Sequence, residues 1–191
     1  MFILSLVILL TLFILQVFFR PFLKKRIHWF VFAVPVIAFG VSVYYSVAQY
    51  LLWQSTEPSK YLLPPYTPVA YFLRYSLFHF FAPYIASLVL AGIFYFVAKL
   101  MNKKSGERFF EGEEIGLAAI VLFIAGFPGI LFVFGFIIAA YLLIHLSNLV
   151  FKRKLEVIPV YYLWLPGGLF AIILTVIWLS RFNIWSALKI S

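Results

Sequence analysis

Carboxylates are concentrated in residues 106–129, GERFFEGEEIGLAAIVLFIAGFPG, directly before an apolar run. Four of the six acidic residues of the chain lie there within eight positions: Glu107, Glu111, Glu113 and Glu114. Such a cluster could act in acid–base chemistry or bind a cation. It could equally cap the following helix and neutralise the neighbouring Lys103, Lys104 and Arg108. The residue types leave both interpretations open.

Other groups that could carry chemistry are sparse. The chain has no cysteine, which excludes disulfides, thiolate catalysis and cysteine metal sites. His28, His79 and His145 are not spaced as metal ligands, so we predict no metal and no cofactor. His145 lies near Ser147 but without a Gly-x-Ser-x-Gly context, as expected of a packing residue. His28 could pair with Glu113 or Glu114, because the predicted topology brings these residues to the same membrane face. No other histidine is brought to an acidic residue in this way.

The composition identifies the elements that must position these residues. The 191 residues are 65% hydrophobic and 11% charged, which excludes a water-soluble domain of this size. Apolar runs of about 20 residues match helices that cross a membrane, whereas a β-barrel would alternate with period two. We therefore predict an all-α polytopic protein, with residues 1–191 forming a single membrane domain.

The apolar runs predict six transmembrane helices, at 1–19, 29–53, 83–101, 114–127, 130–150 and 159–180. The fourth has 14 residues, would rise only about 21 Å and is broken at 126–129. Such a short helix must thin the bilayer or sit inside a bundle. The aromatic residues 69–81 form either a helix at the membrane surface or the outer end of the third span.

The basic residues predict the topology. Eleven of the fifteen lie in or beside the connections 20–28, 102–113 and 151–158. By the positive-inside rule these connections are cytoplasmic and both termini are outside. This asymmetry accounts for the net charge of +9, so we predict the lipid bilayer as a partner and no nucleic acid.

The run EIGLAAIVLFIAGFPG and the later basic turn FKRKLEVIP resemble the C-terminal part of the prepilin peptidase family. These six-span membrane aspartyl proteases of prokaryotes cleave the leader of type IV pilin-like precursors. Their Gly-x-Gly-Asp motif leads into a Val-Lys-Leu-Ala-Ala-like helix, which places Glu114 on the motif aspartate and Leu117 on the helix start. RPFLKKRIHW is similar to the loop that carries the other catalytic aspartate. The resemblance implies a prokaryotic cytoplasmic membrane.

The departures from this pattern concern the catalytic groups. An aspartyl protease needs two carboxyl groups that share a proton. The chain contains no aspartate, and Pro21 stands where the first one would be. Glu114, or Glu113 in another register, is the candidate catalytic carboxyl. A second could come only from Glu57, Glu107, Glu111 or Glu156. We therefore expect no aspartyl protease activity.

The leading hypothesis is a binding or scaffold protein for a membrane helix, such as a pilin-like precursor. A charged leader before that helix would meet the acidic and basic residues of one face. The predicted binding residues are Glu111, Gly112, Glu113, Glu114, Lys24, Lys25, Arg26 and His28. One alternative is an active prepilin-type peptidase with a glutamate-based site. Another is a small-solute binding subunit of a transporter, although no pair of broken helices marks a midplane site.

Overall fold

The computed structural model describes residues 2–106, 110–150 and 160–178, and the regular structure within these ranges is entirely helical. Among the described residues, four helical stretches are long and apolar enough to cross a membrane: Arg20–Ser55, Val69–Lys104, Gly129–Val150 and Val160–Ile177. Two apolar helices are shorter, Phe2–Phe18 and Glu114–Ala125. The predicted all-α fold is confirmed for these residues, with four helices rather than six that satisfy the length of a span.

In the described part of the chain, seven α-helices follow the predicted order of apolar runs. They are α1 (Phe2–Phe18), α2 (Arg20–Ser55), α3 (Val69–Ser76), α4 (Ala82–Lys104), α5 (Glu114–Ala125), α6 (Gly129–Val150) and α7 (Trp164–Ile173). A π-helical turn, Leu77–Phe81, joins α3 to α4, and another, Leu174–Trp178, extends α7. Short 3-10 helices are formed by Ser59–Leu62 and Val160–Tyr162.

The predicted loop 20–28 is wrong, because these residues form the first turns of α2. Only Phe19 separates α2 from α1. Pro21 lies in the first turn, where its missing N–H would have no helical partner, and lysine and arginine are good helix formers. The cluster of positive charges therefore correctly indicated the end of a helix, but the loop predicted from it is not present. The connection predicted at 102–113 begins later, after Lys104, and 151–158 lies outside the described residues.

Residues 69–81 continue directly into α4 through the π-helical turn. Pro83 has no N–H to donate to the carbonyl of His79, so the regular α-helical pattern is interrupted there. The resulting stretch, Val69–Lys104, is one of the four helices of membrane-spanning length. This continuity favours the outer end of a long third helix over a separate surface helix.

The short helix α5 lies at the centre of the bundle. All of its residues except Ala125 are buried, and it packs against α1, α2, α4, α6 and α7. Its 12 residues rise about 18 Å. Gly126, with φ of +68°, ends the helix in a conformation that favours glycine, and α6 starts at Gly129. The predicted break at 126–129 is thus confirmed, and the helix sits inside a bundle.

Two glycines allow close packing around α5. A Cβ on Gly116 would lie 2.9 Å from Cγ1 of Ile27 in α2. A Cβ on Gly168 of α7 would lie 2.7 Å from Cγ1 of Val121. Because α2 and α7 approach α5 this closely, the starts of all three helices meet and bring their polar residues together.

Candidate functional site

The predicted acidic residues lie where α5 begins, deep in the bundle. Glu113 is 1% exposed and Glu114 is 3% exposed, although both carry a carboxyl group. α1 ends, α2 begins and α4 ends at the same end of the bundle, which we call the basic end because it carries Arg20, Lys24 and the lysines of α4. Buried carboxylates are costly without partners, so their contacts define what the site can do.

Glu114 has a hydrogen-bond donor on each carboxylate oxygen. The indole Nε1 of Trp164, in the first turn of α7, donates to Oε1 at 3.0 Å. The backbone N–H of Glu111 donates to Oε2 at 3.2 Å. The indole is fixed by packing against Phe94 and Phe134, with ring centroids 5.5 and 6.2 Å away. Glu114 therefore joins α5 to α7 and to the turn that precedes α5.

Glu113 is held by two cations from the start of α2. Its Oε1 is 3.5 Å from a terminal nitrogen of Arg20, and its Oε2 is 3.6 Å from Nζ of Lys24. The same Arg20 nitrogen donates to Oε2 of Glu111 in an ion pair. Arg20 thus bridges two of the three acidic side chains.

The Arg20 guanidinium is itself positioned by aromatic side chains next to α7. Its Cζ lies 4.8 Å from the ring centroid of Tyr161, and its other terminal nitrogen is 3.3 Å from the hydroxyl of Tyr162. Gln16, near the end of α1, donates to the backbone carbonyl of Tyr161 at 2.8 Å. We call Glu111, Glu113, Glu114, Arg20, Lys24 and Trp164 the glutamate cluster, and it links the starts of α2, α5 and α7.

This geometry differs from a pair of carboxyl groups that share a proton. Within the described residues, no hydrogen bond joins two carboxyl groups, and both Glu114 oxygens face N–H donors. Of the other acids, Glu111 pairs with Arg20, and Glu57 pairs with Lys60 after the far end of α2. Glu107 and Glu156 lie outside the described residues. The geometry observed suits an internal structural link between helices.

The predicted site residues divide into two groups. Glu111, Glu113, Glu114 and Lys24 come together, whereas Lys25 and Arg26 are exposed and form no ion pair with the described residues. His28 makes no hydrogen bond or ion pair with Glu113 or Glu114. It lines a cavity between α2 and α4, together with Gly112. The predicted acid–imidazole pair is therefore not formed.

Sequence reasoning missed Arg20 and Trp164 as partners of the glutamates. It expected Lys103 and Lys104 to neutralise them, but the ion pairs of Glu113 come from Arg20 and Lys24 instead. Arg108, the third expected partner, lies outside the described residues. A usable signal was present, because Arg20 is the first charged residue of the chain and follows an apolar run directly. A charge in that position needs a partner or water.

Comparisons with known proteins identify no relative of this chain. No family model matches the chain, and neither the curated proteins nor the solved structures include a significant match.

Proposed function

We propose that this protein is a non-proteolytic membrane protein that binds a membrane-embedded partner. The first candidate partner is an apolar helix preceded by a short charged segment, as in a pilin-like precursor. The observation that carries the proposal is the engagement of the buried carboxylates. Glu114 accepts two N–H donors, and Glu113 lies between Arg20 and Lys24.

Aspartyl protease chemistry requires a different arrangement. One carboxylate must act as a base toward water while its neighbour stays protonated and polarises the scissile carbonyl. A proton on Glu114 would point at Trp164 or at the backbone N–H of Glu111, both of which are donors. Absence of this chemistry is what we expect of a binding protein that resembles prepilin peptidases but does not cleave its partner.

The charges that remain for a partner are positive. Lys24 is occupied by Glu113, whereas Lys25 and Arg26 on the same turns of α2 are exposed and have no ion pair with the described residues. An approaching segment would therefore meet two unpaired cations. Charge complementarity favours an acidic segment next to the partner's apolar helix.

The proposed placement in the membrane has six spans, with α1 and α5 added to the four helices of sufficient length. α5 would be enclosed by the other helices and would not need to reach both surfaces. The basic end would face the cytoplasm by the positive-inside rule, with both termini outside, in a prokaryotic cytoplasmic membrane.

The test is a binding and cleavage assay with the purified protein in lipid nanodiscs. Two synthetic pilin-like precursors are used, identical except for an acidic or a basic segment before the apolar helix. We expect the acidic precursor to be retained uncleaved. Lys25→Glu with Arg26→Glu should weaken this retention about tenfold, since close charge pairs fix partner orientation and affinity. Arg74→Glu, an exposed charge reversal on α3 at the opposite end of the bundle, is the matched control.

Two results would overturn the proposal. Cleavage of either precursor that is abolished by Glu114→Gln would establish a glutamate-based peptidase. If the folded protein retains neither precursor, the proposal that it binds a partner helix is wrong. The small-solute alternative would then be tested by ligand extraction.

A further inference from the structure

A groove runs between α2 and α4 on the side of α5 that faces away from the glutamate cluster. It consists of two adjoining cavities of about 420 and 220 Å³, which share His28, Val31 and Tyr95 as lining residues. Gly116 and Ala119 of α5 form its floor. We call this the α2–α4 groove. Its two halves differ in chemistry.

The half at the basic end is cationic. Its charged or titratable side chains are His28 from α2 and Tyr95, Lys99 and Lys103 from α4, and no carboxylate lines it among the described residues. Lys99 and Lys103 lie one turn apart on the same face of α4, a spacing at which like charges repel. Neither forms an ion pair with a described residue. Among the described residues, no carboxylate therefore offsets the positive charge of these lysines in the concave site.

The other half is apolar and opens on the outer surface of the bundle. It is lined by Phe32, Leu88, Gly92 and Phe96. Phe32 and Phe96 are 72% and 71% exposed, so they form the rim, where a surrounding bilayer would contact the protein. A Cβ on Gly92 would have no heavy atom within 4 Å, which shows open space above this residue. The apolar half is a slot that a flexible chain can enter sideways.

The length of the groove matches one leaflet of a membrane. Leu88 and Lys103 are separated by 15 positions of α4, or about 22 Å along a helix axis. One leaflet with its headgroups is half of a bilayer of about 40–45 Å. A molecule with an anionic group at Lys99 and Lys103 and an apolar chain toward Leu88 would span this distance. The apolar half holds about 220 Å³, which is less than the volume of a helix about 10 Å wide over the same length.

We propose that the α2–α4 groove binds a phospholipid with an anionic headgroup. The headgroup phosphate lies between Lys99, Lys103 and His28, and one acyl chain occupies the slot along Phe32, Gly92 and Phe96. Anionic headgroups are the ligands that basic pockets between membrane helices bind. This site uses side chains other than Lys25 and Arg26, so it stands independently of the proposed partner helix.

The headgroup is tested by native mass spectrometry of the full chain. The protein is released from vesicles of phosphatidylglycerol or phosphatidylcholine with the same acyl chains, and retained lipid is counted. We expect preferential retention of phosphatidylglycerol. Lys99→Gln with Lys103→Gln should lower it about tenfold or more, since each lysine attracts the anionic headgroup. Lys104→Gln is the control for Lys99→Gln alone, because it removes one charge from the same end of α4, outside the lining residues, and it should keep this preference.

The acyl chain is tested by filling the slot. Gly92→Phe adds a ring where the structure has space, and Gly40→Phe adds one at an equally open position of α2 that lines neither half of the groove. Only the first should lower phosphatidylglycerol retention. Each variant is accepted if its melting temperature without added lipid is no lower than that of the wild type. Lys99→Gln alone replaces the double variant if that one does not fold.

Three outcomes would overturn the lipid site. Equal retention of the two lipids would show that the cations do not select a headgroup. Equal loss in Lys99→Gln and its control Lys104→Gln would show a general effect of charge. Competition by glycerol phosphate together with no effect of Gly92→Phe would identify a free phosphate ester as the ligand instead.

Discussion

The glutamate cluster and the cationic half of the α2–α4 groove lie on opposite sides of the first turn of α5. Glu113 and Glu114 point to the starts of α2 and α7, where donors and cations meet them. Gly112, Ile115 and Gly116 line the groove, where Lys99 and Lys103 have no carboxylate partner among the described residues. The carboxylates of the first region have cations or N–H donors within the protein, whereas the lysines of the second have no carboxylate partner among the described residues.

This difference separates a structural site from a binding site. Removing one partner of a buried charge leaves that charge uncompensated and destabilises the protein. Like charges one helical turn apart that have no carboxylate partner repel each other, so they do not stabilise the fold as the glutamate cluster does. Substitutions in the glutamate cluster should therefore lower stability. Substitutions of the lysines in the α2–α4 groove should lower lipid binding and leave stability unchanged or slightly higher.

The largest effect on stability is expected from Arg20→Gln. Arg20 bridges Glu111 and Glu113, and without it the buried Glu113 keeps only Lys24, at 3.6 Å. We expect the free energy of unfolding in detergent micelles to fall by about 2 kcal/mol or more. Arg26→Gln, an exposed arginine in the same region of α2, should change it by less than about 0.5 kcal/mol. Equal values for the two variants would show that the glutamate cluster does not hold the helices together.

A smaller loss is expected from Trp164→Phe. This change removes the N–H that donates to Glu114 at 3.0 Å and keeps an aromatic ring against Phe94. A buried acceptor without its donor costs about 1–3 kcal/mol, and we expect a value near the lower limit because Glu111 still donates. Trp53→Phe is the matched control, since the buried Trp53 indole donates to no described group.

A double-mutant cycle separates the contribution of the Trp164–Glu114 hydrogen bond from that of ring packing. If the hydrogen bond carries the effect, Trp164→Phe should cost much less in a Glu114→Leu background, which has no side-chain acceptor, than in the wild type. Equal costs in both backgrounds would assign the effect to ring packing alone. Melting curves of the four proteins measure this coupling.

Lys24→Gln should have a small and salt-dependent effect. Its side chain is 66% exposed although its carboxylate partner is buried, so solvent screens most of the attraction. Exposed ion pairs contribute about 0.2–1 kcal/mol, and we expect a loss in this range that shrinks as salt is added. Lys25→Gln, at the next position of the chain, is the control. A loss as large as that of Arg20→Gln would show that Lys24 is the main partner of Glu113.

The fold was largely predictable because hydropathy reports on each helix separately. The order of the apolar runs, the short α5 and its end at Gly126 all follow from local composition and from glycine and proline. The predicted loop at 20–28 failed for a local reason, since charge and helix propensity coexist in α2. Sequence pattern thus located the helices but not where each one begins.

The site was less predictable because its contacts are distant in sequence. Arg20 is 93 positions from Glu113, and Trp164 is 50 positions from Glu114. The sequence offered Lys103 and Lys104 as nearer cations, but α4 directs Lys103 into the groove. Which face of α5 meets which helix depends on close approaches such as that of Gly116 and Ile27, and no local pattern encodes them.

The smallest effect, and the one of opposite sign, is expected from Lys99→Gln. Lys99 and Lys103 repel each other at i and i+4, a spacing worth about 0.2–0.5 kcal/mol, and neither has a carboxylate partner among the described residues. Removing one charge in lipid-free detergent should leave stability unchanged or raise it by a few tenths of a kcal/mol, of the order of that repulsion. With phosphatidylglycerol present, the wild type should become more stable than Lys99→Gln. The lipid stabilises each protein in proportion to how tightly that protein binds it, and the wild type should bind it more tightly. Melting temperatures of Lys99→Gln and Lys104→Gln, with and without this lipid, measure the reversal. A loss of stability without lipid would mean that Lys99 belongs, like Arg20, to the internal charge balance of the bundle.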